Sequence, residues 1–179
     1  MNLCVVVLTS GLKDSPRNLP KVCYKIGDKS MLEIVLENVI QLNPNIIILM
    51  VERNNITPIN KLIKHANYSK LISYCIFDSN KESKISMAEK CYYGRNVLVV
   101  PGNGPSLSTK SMYKMISDSR NVKINDKLFY LKKDDVDKID KIAEYSSEDE
   151  KMFPPTETLQ IETREQLEKT IRKRKYGKN

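Results

Sequence analysis

The stretch that decides the fold is Leu3 to Ile40, LCVVVLTSGLKDSPRNLPKVCYKIGDKSMLEIVLENVI. Leu3 to Leu8 is a continuous apolar run with three adjacent valines. Such a run marks a strand buried on both faces, as strands in parallel sheets are. The loop after it holds Gly11, the cations Lys13, Arg17 and Lys21, and the tripeptide Leu19-Pro20-Lys21. Beyond the loop, Ser30 and Glu33 stand at capping-box spacing. They open a helix over Met31 to Leu42, with Met31, Val35, Val39 and Leu42 on one face beside Leu32, Leu36 and Ile40. In an α/β sheet, nucleotides bind at the carboxyl end of the first parallel strand, where this loop lies.

The alternation continues along the chain. Asn43-Pro44-Asn45 stops the helix, and Ile46 to Val51 reads as a second buried strand. Pro58 starts a short helix through about Ala66, at a position where the first turn permits proline. Leu71 to Phe77 is a third strand, Ile85 to Tyr92 a helix and Asn96 to Val100 a fourth strand. Strands and helices in short alternation require a parallel sheet with right-handed crossovers. The fold class is therefore α/β, a single doubly wound, mostly parallel, Rossmann-like sheet.

After Asn103 the pattern changes. Ser108 to Ser117 reads as a helix, Lys127 to Leu131 as a short strand and Val136 to Tyr145 as a surface helix. The rest of Lys132 to Lys151, mixed in charge and low in large apolar residues, reads as a mobile loop. Pro154-Pro155 resets the chain, and Thr158 to Ile161 reads as a closing strand. Thr163 and Gln166 cap the helix after it. One domain is expected over 1–175, with a nucleotide-binding half (1–120), a short variable region (121–153) and a closing strand and helix (154–175). A basic tail, 176–179, follows.

A chain of 179 residues, 40% hydrophobic, can bury one core. Its net charge of +8 draws on Lys169, Arg172, Lys173, Arg174, Lys175 and Lys178, while the remaining lysines are scattered among acids. That balance suits phosphate-bearing ligands. It lacks the basic stripe with interleaved aromatics that a nucleic-acid partner requires. Cys4, Cys23, Cys75 and Cys91 form no C-x-x-C pair, and Cys4 and Cys75 lie in apolar runs, as buried free thiols do. No secretory h-region and no apolar run of roughly 18 residues is present, so no membrane partner and a reduced, cytoplasmic setting are expected. His65 is the only histidine and leaves a zinc site or a Ser-His-Asp triad without support.

Three segments can carry chemistry. In the first, Thr9, Ser10 and Gly11 are small enough for backbone N–H groups to face phosphate, and Pro20 fixes the backbone before the Lys21 ammonium. An ordinary βα connection with exposed lysines reads the same way. The second, Pro101-Gly102-Asn103-Gly104-Pro105, follows the fourth strand; its glycines permit close approach and Asn103 offers an oxygen. Asn-Gly and Gly-Pro are also turn dipeptides. In the third, a strand ending at Ile161 would deliver Glu162 to the edge that carries Asn103. A carboxylate and an amide oxygen there suit Mg²⁺, although a glutamate near a helix N-terminus is favourable in itself.

Taken in order, these segments resemble the nucleotidyltransferase domain of the sugar-nucleotide pyrophosphorylases, most of all the N-terminal domain of N-acetylglucosamine-1-phosphate uridyltransferases. That family opens with strand-L-A-A-G-x-G-T-R-M, then L-P-K-V-L and G-K-P-M-L. Here stand Leu8-Thr9-Ser10-Gly11, Leu19-Pro20-Lys21-Val22 and Gly27-Asp28-Lys29-Ser30-Met31-Leu32. The family's G-D-V-P-L resembles Gly102-Asn103-Gly104-Pro105-Ser106, and its closing E-V-x-G-V-N-x-R-x-Q-L resembles Glu157 to Leu167. The chain departs from the family in four places. Leu12, Lys13 and Asp14 replace the second loop glycine and the arginine, and Phe77 to Ser83 lacks the glycine of the uridine-contacting segment. Asn103 and Glu162 replace an Asp and Asn metal pair, and Asn121 to Phe153 is too short for the family's sugar-binding half.

The resemblance implies a nucleoside triphosphate against Leu8, Thr9, Ser10, Gly11 and Gly102. Lys21 and Lys13 would neutralise phosphate charge, and Asn103 and Glu162 would hold Mg²⁺. A sugar 1-phosphate, or another phosphorylated small molecule, would take the nucleotidyl group as pyrophosphate leaves. A non-catalytic nucleotide-binding or protein-interaction descendant of the family is the alternative reading. A third is the shorter molybdenum-cofactor guanylyltransferase type, whose size is nearer to this chain.

Overall fold

The computed structural model describes residues 2–9, 19–78 and 84–176. Six strands form one sheet: β1 (Leu3–Leu8), β4 (Ile46–Glu52), β5 (Ile72–Phe77), β6 (Asn96–Pro101), β7 (Val122–Asn125) and β8 (Leu128–Leu131). Their order is β5-β4-β1-β6-β8-β7, and β2 (Lys25–Ile26) and β3 (Lys29–Ser30) make a separate two-residue hairpin. The first four strands in that order are mutually parallel, whereas β8 runs antiparallel to β6 and β7 antiparallel to β8. The fold is α/β and Rossmann-like, with a mixed, mostly parallel sheet.

Alternation along β1 writes both layers. Leu3, Val5 and Val7 face a core shared with α1 (Met31–Ile40), α2 (Ile56–Ile63) and α4 (Thr109–Ile116). Cys4 and Val6 face the opposite core, with Ala88 and with Tyr92 of α3 (Glu89–Tyr92). Both sides of the strand are sealed, so each position must be apolar. At the head of α1 the capping box is complete: the Glu33 N–H donates to Ser30 Oγ at 3.1 Å, and the Ser30 N–H donates to Glu33 Oε1 at 3.1 Å. Asn43 ends the helix in the left-handed region, φ 56°. Pro58 lies in the first turn of α2, which begins two residues earlier than its proline indicates.

Past Asn103 three expectations are corrected and one strand is added. Val136 to Tyr145 is not a surface α-helix: Lys133–Glu144 is a run of 3₁₀ turns with Val136, Ile139 and Ile142 buried in the second core. A repeat of three residues per turn places a residue on one face at every third position, as these three stand. The segment after it is anchored rather than loose. Asp149 accepts both terminal nitrogens of Arg120, at 3.2 and 2.6 Å, and the Lys123 N–H at 3.0 Å. Val122–Asn125, in the region read as variable, is strand β7. Thr158 to Ile161 is not a strand. β6 already pairs with β1 on one edge and β8 on the other, so no edge remains beside it for another strand. Helix α5 (Arg164–Tyr176) follows, capped as expected, since Gln166 N–H donates to Thr163 Oγ1 and Thr163 N–H to Gln166 Oε1.

Candidate functional site

The carboxyl ends of β1 and β6 lie side by side. The Gly102 N–H donates to the Leu8 carbonyl at 2.7 Å, which extends their ladder past the strand ends. A Cβ at position 102 would stand 2.9 Å from that carbonyl oxygen and 3.2 Å from Val22 Cγ1. The glycine is thus required by the chain's own packing, and the close approach at Gly102 is made by Leu8 and Val22. Gly104 N–H donates back to the Pro101 carbonyl at 3.3 Å, closing a tight turn that presents Asn103.

Asn103 is 8% exposed and pairs with the closing segment through both ends. Its carbonyl accepts the Ile161 N–H at 2.8 Å, and its Nδ2 donates to the Ile161 carbonyl at 3.1 Å. Glu162 follows at once; its N–H donates to Gln166 Oε1 at 2.8 Å and its side chain is exposed. Lys21, on the short 3₁₀ turn Lys21–Cys23, donates from Nζ to the Glu162 carbonyl. Thr9, at the end of β1, is 4% exposed, and both its N–H (3.3 Å) and its hydroxyl (2.5 Å) donate to the Met50 carbonyl of β4.

Of the residues singled out in the sequence, Leu8, Lys21, Gly102, Asn103 and Glu162 are therefore linked by hydrogen bonds at one edge of the sheet, with Thr9 beside them. Ser10, Gly11 and Lys13 lie outside the described residues, as does Ser79 to Ser83 of the segment after the third strand. Among the described residues, no group of three or more His, Cys, Asp or Glu side chains lies together as metal ligands do. Among the described residues, the segments that meet here carry an exposed carboxylate at Glu162 and an amide oxygen at Asn103. Mg²⁺ is commonly held by one or two carboxylates while substrate phosphates and water complete its shell. That pair fits a cation arriving with a nucleotide better than one held permanently by the protein.

Sequence reading missed the residue that fastens the closing segment. Glu157 accepts hydrogen bonds from the hydroxyls of Ser108, at 2.7 Å, and Ser111. Ser108 is also the N-cap of α4, its Oγ accepting the Ser111 N–H at 3.1 Å. Burial pushes the Glu157 carboxyl up, but the Ser111 and Ser108 hydroxyls outweigh it and hold the carboxyl below its usual range. The available signal was Ser-x-x-Ser at a helix start, which exposes two hydroxyls toward one carboxylate.

No protein-family model matches the sequence, and no curated protein matches it. Solved structures do match. The chain is similar to 4-diphosphocytidyl-2C-methyl-D-erythritol synthase from Anaerococcus prevotii, with a TM-score of 0.69 and 14% identity over 97% of this chain and 98% of that one. It is similar to a putative glucose-1-phosphate thymidylyltransferase from Bacillus anthracis, with a TM-score of 0.61 and 10% identity over 96% and 83%. It is also similar to a Mycobacterium tuberculosis protein solved in complex with manganese, with a TM-score of 0.61 and 13% identity over 85% and 80%. The fold is that of the sugar-nucleotide transferases. No helix among the described residues is long and apolar enough to cross a membrane.

Proposed function

We propose that the chain is a nucleotidyltransferase that moves a nucleotidyl group from a nucleoside triphosphate to a phosphorylated small molecule. One observation carries this reading. Three segments distant in sequence, ending at Leu8, Asn103 and Glu162, are tied together with Lys21 at the carboxyl edge of the sheet, where α/β folds bind nucleotides. The acceptor's phosphate oxygen bonds to the α-phosphorus, and the bond from that phosphorus to the bridging oxygen breaks. Pyrophosphate leaves with the electron pair. Lys21 neutralises phosphate charge, and Lys13 has the charge to assist from the preceding loop. Such transfer rests on positioning and charge stabilisation and needs no general base. Asn103 and Glu162 are the residues that would hold a divalent cation, whose contribution would be to shield phosphate charge. Mg²⁺ is the expected ion, and the manganese-bound neighbour supports divalent-metal use in this fold. Sugar 1-phosphates are the acceptors that the resemblance implies, and they are tested alongside other phosphate monoesters.

A second reading, a nucleotide-binding protein without turnover, is favoured by one feature. The Asn103 side chain is neutral and its amide nitrogen is committed to the Ile161 carbonyl, so of the two candidate ligands Glu162 is the one that supplies anionic charge for a cation. The two readings separate in one assay of the intact chain, with UTP, CTP, GTP and ATP, Mg²⁺ or Mn²⁺, and sugar 1-phosphates. Metal-dependent pyrophosphate release supports the transferase. Thermal stabilisation by a triphosphate without release supports the binding protein. Neither effect with any nucleotide contradicts both.

A further inference from the structure

Beside the nucleotide edge, a cleft of about 580 Å³ opens between the Lys21–Lys25 segment and the start of α5. Its volume lies within the range of small-molecule sites, about 300–1,000 Å³. Exposed Leu19 and half-buried Leu167 supply the apolar surface, with Met31 and Ile161 buried behind it. Lys21, Lys25 and Arg164 supply positive charge, and none of the lining residues among those described is acidic. Arg164 is partly neutralised by Glu168 at 3.2 Å, which leaves the two lysines as the main source of that charge.

Two walls of the cleft belong to the candidate site itself. Lys21 reaches the Glu162 carbonyl, and Ile161 is the residue that pairs with Asn103. An ammonium has three donors, and a phosphate oxygen at Lys21 would add a charge-assisted bond that a neutral carbonyl cannot match. An anion placed there would have its organic body on Leu19 and Leu167.

We propose that this cleft binds the acceptor of the nucleotidyl transfer, and that the acceptor is a phosphate monoester with an apolar body. The proposal rests on the transferase reading for the acceptor's role, but binding in the cleft is testable apart from it. Phenyl phosphate and inorganic phosphate are titrated calorimetrically into the intact chain and into Lys25→Glu and Leu167→Ala variants. Thermal stabilisation by Mg²⁺ and UTP, CTP, GTP or ATP is recorded alongside. Phenyl phosphate is expected to bind at least about tenfold more tightly than inorganic phosphate, and Lys25→Glu to weaken it about tenfold. Leu167→Ala removes most of the preference for the phenyl group, and neither variant changes the response to triphosphate.

Equal affinity for the two phosphates, or phenyl phosphate binding indifferent to both substitutions, overturns the cleft assignment. Pyrophosphate release by a protein that does not bind phenyl phosphate also overturns it, while leaving the transferase reading standing. Cleft binding with the expected variant effects, but no response to any triphosphate, retains the site and removes the transfer.

Discussion

The parallel half of the sheet and the closing segment meet at the same edge and are held in different ways. β4, β1 and β6 are bound by apolar burial on both faces; Val5, Val6, Leu49 and Leu98 have no exposed surface. The segment from Asp149 to Glu162 buries Phe153 and Ile161 and is otherwise fastened by polar contacts: Asp149 to Arg120 and Lys123, Glu157 to Ser108 and Ser111, Ile161 to Asn103. The first half is a scaffold whose stability is insensitive to charge. The second delivers Glu162 to that scaffold through bonds that protonation or a single substitution can weaken.

The largest expected effect lies in the scaffold. Leu49→Ala leaves a cavity between sealed layers and should cost about 3 kcal/mol in urea unfolding; a loss near zero would break the contrast. Asp149→Ala should cost about 2 kcal/mol, because it removes charge-assisted bonds and leaves the Lys123 N–H without its acceptor. Hydrogen exchange should speed in β7 and remain slow in β1.

Glu157→Gln should cost about 1.5 kcal/mol at neutral pH. Its folded carboxyl titrates below the unfolded one, so its stabilisation is complete above about pH 4.5 and is lost as pH falls through the lowered value. Wild type and variant should therefore converge in acid, and a constant gap from pH 7 to pH 3 would contradict the charge-based anchor. Ser30→Ala, which removes the α1 cap from both regions' common support, should cost about 1 kcal/mol with no pH dependence in that range.

The contrast also explains what could be read from the sequence. A strand sealed on both faces has to be apolar throughout, so β1, β4 and β6 appear as unbroken runs; Ser30 and Glu33 marked their helix by spacing alone. The closing segment has no such pattern. Its anchors are single polar residues whose partners, such as Ser108 for Glu157, lie 49 positions away in the chain. Thr158 to Ile161 reads as a strand because it is moderately apolar, yet strand order leaves no free edge beside β6 for it. Val136, Ile139 and Ile142 did carry a signal, but spacing by three also fits one face of an α-helix. At the sheet edge, the meeting of Lys21, Asn103 and Glu162 could be expected from order and motif, whereas the Lys25 and Leu167 cleft exists only once α5 is docked.

Nucleotide binding at the edge where scaffold and closing segment meet is tested most directly by comparing wild type with Lys21→Ala in thermal shift with Mg²⁺ and each of UTP, CTP, GTP and ATP. The account predicts stabilisation of the wild type by at least one triphosphate and its loss in the variant, with the unliganded melting temperature little changed. Equal stabilisation of both proteins, or none of the wild type, would contradict it.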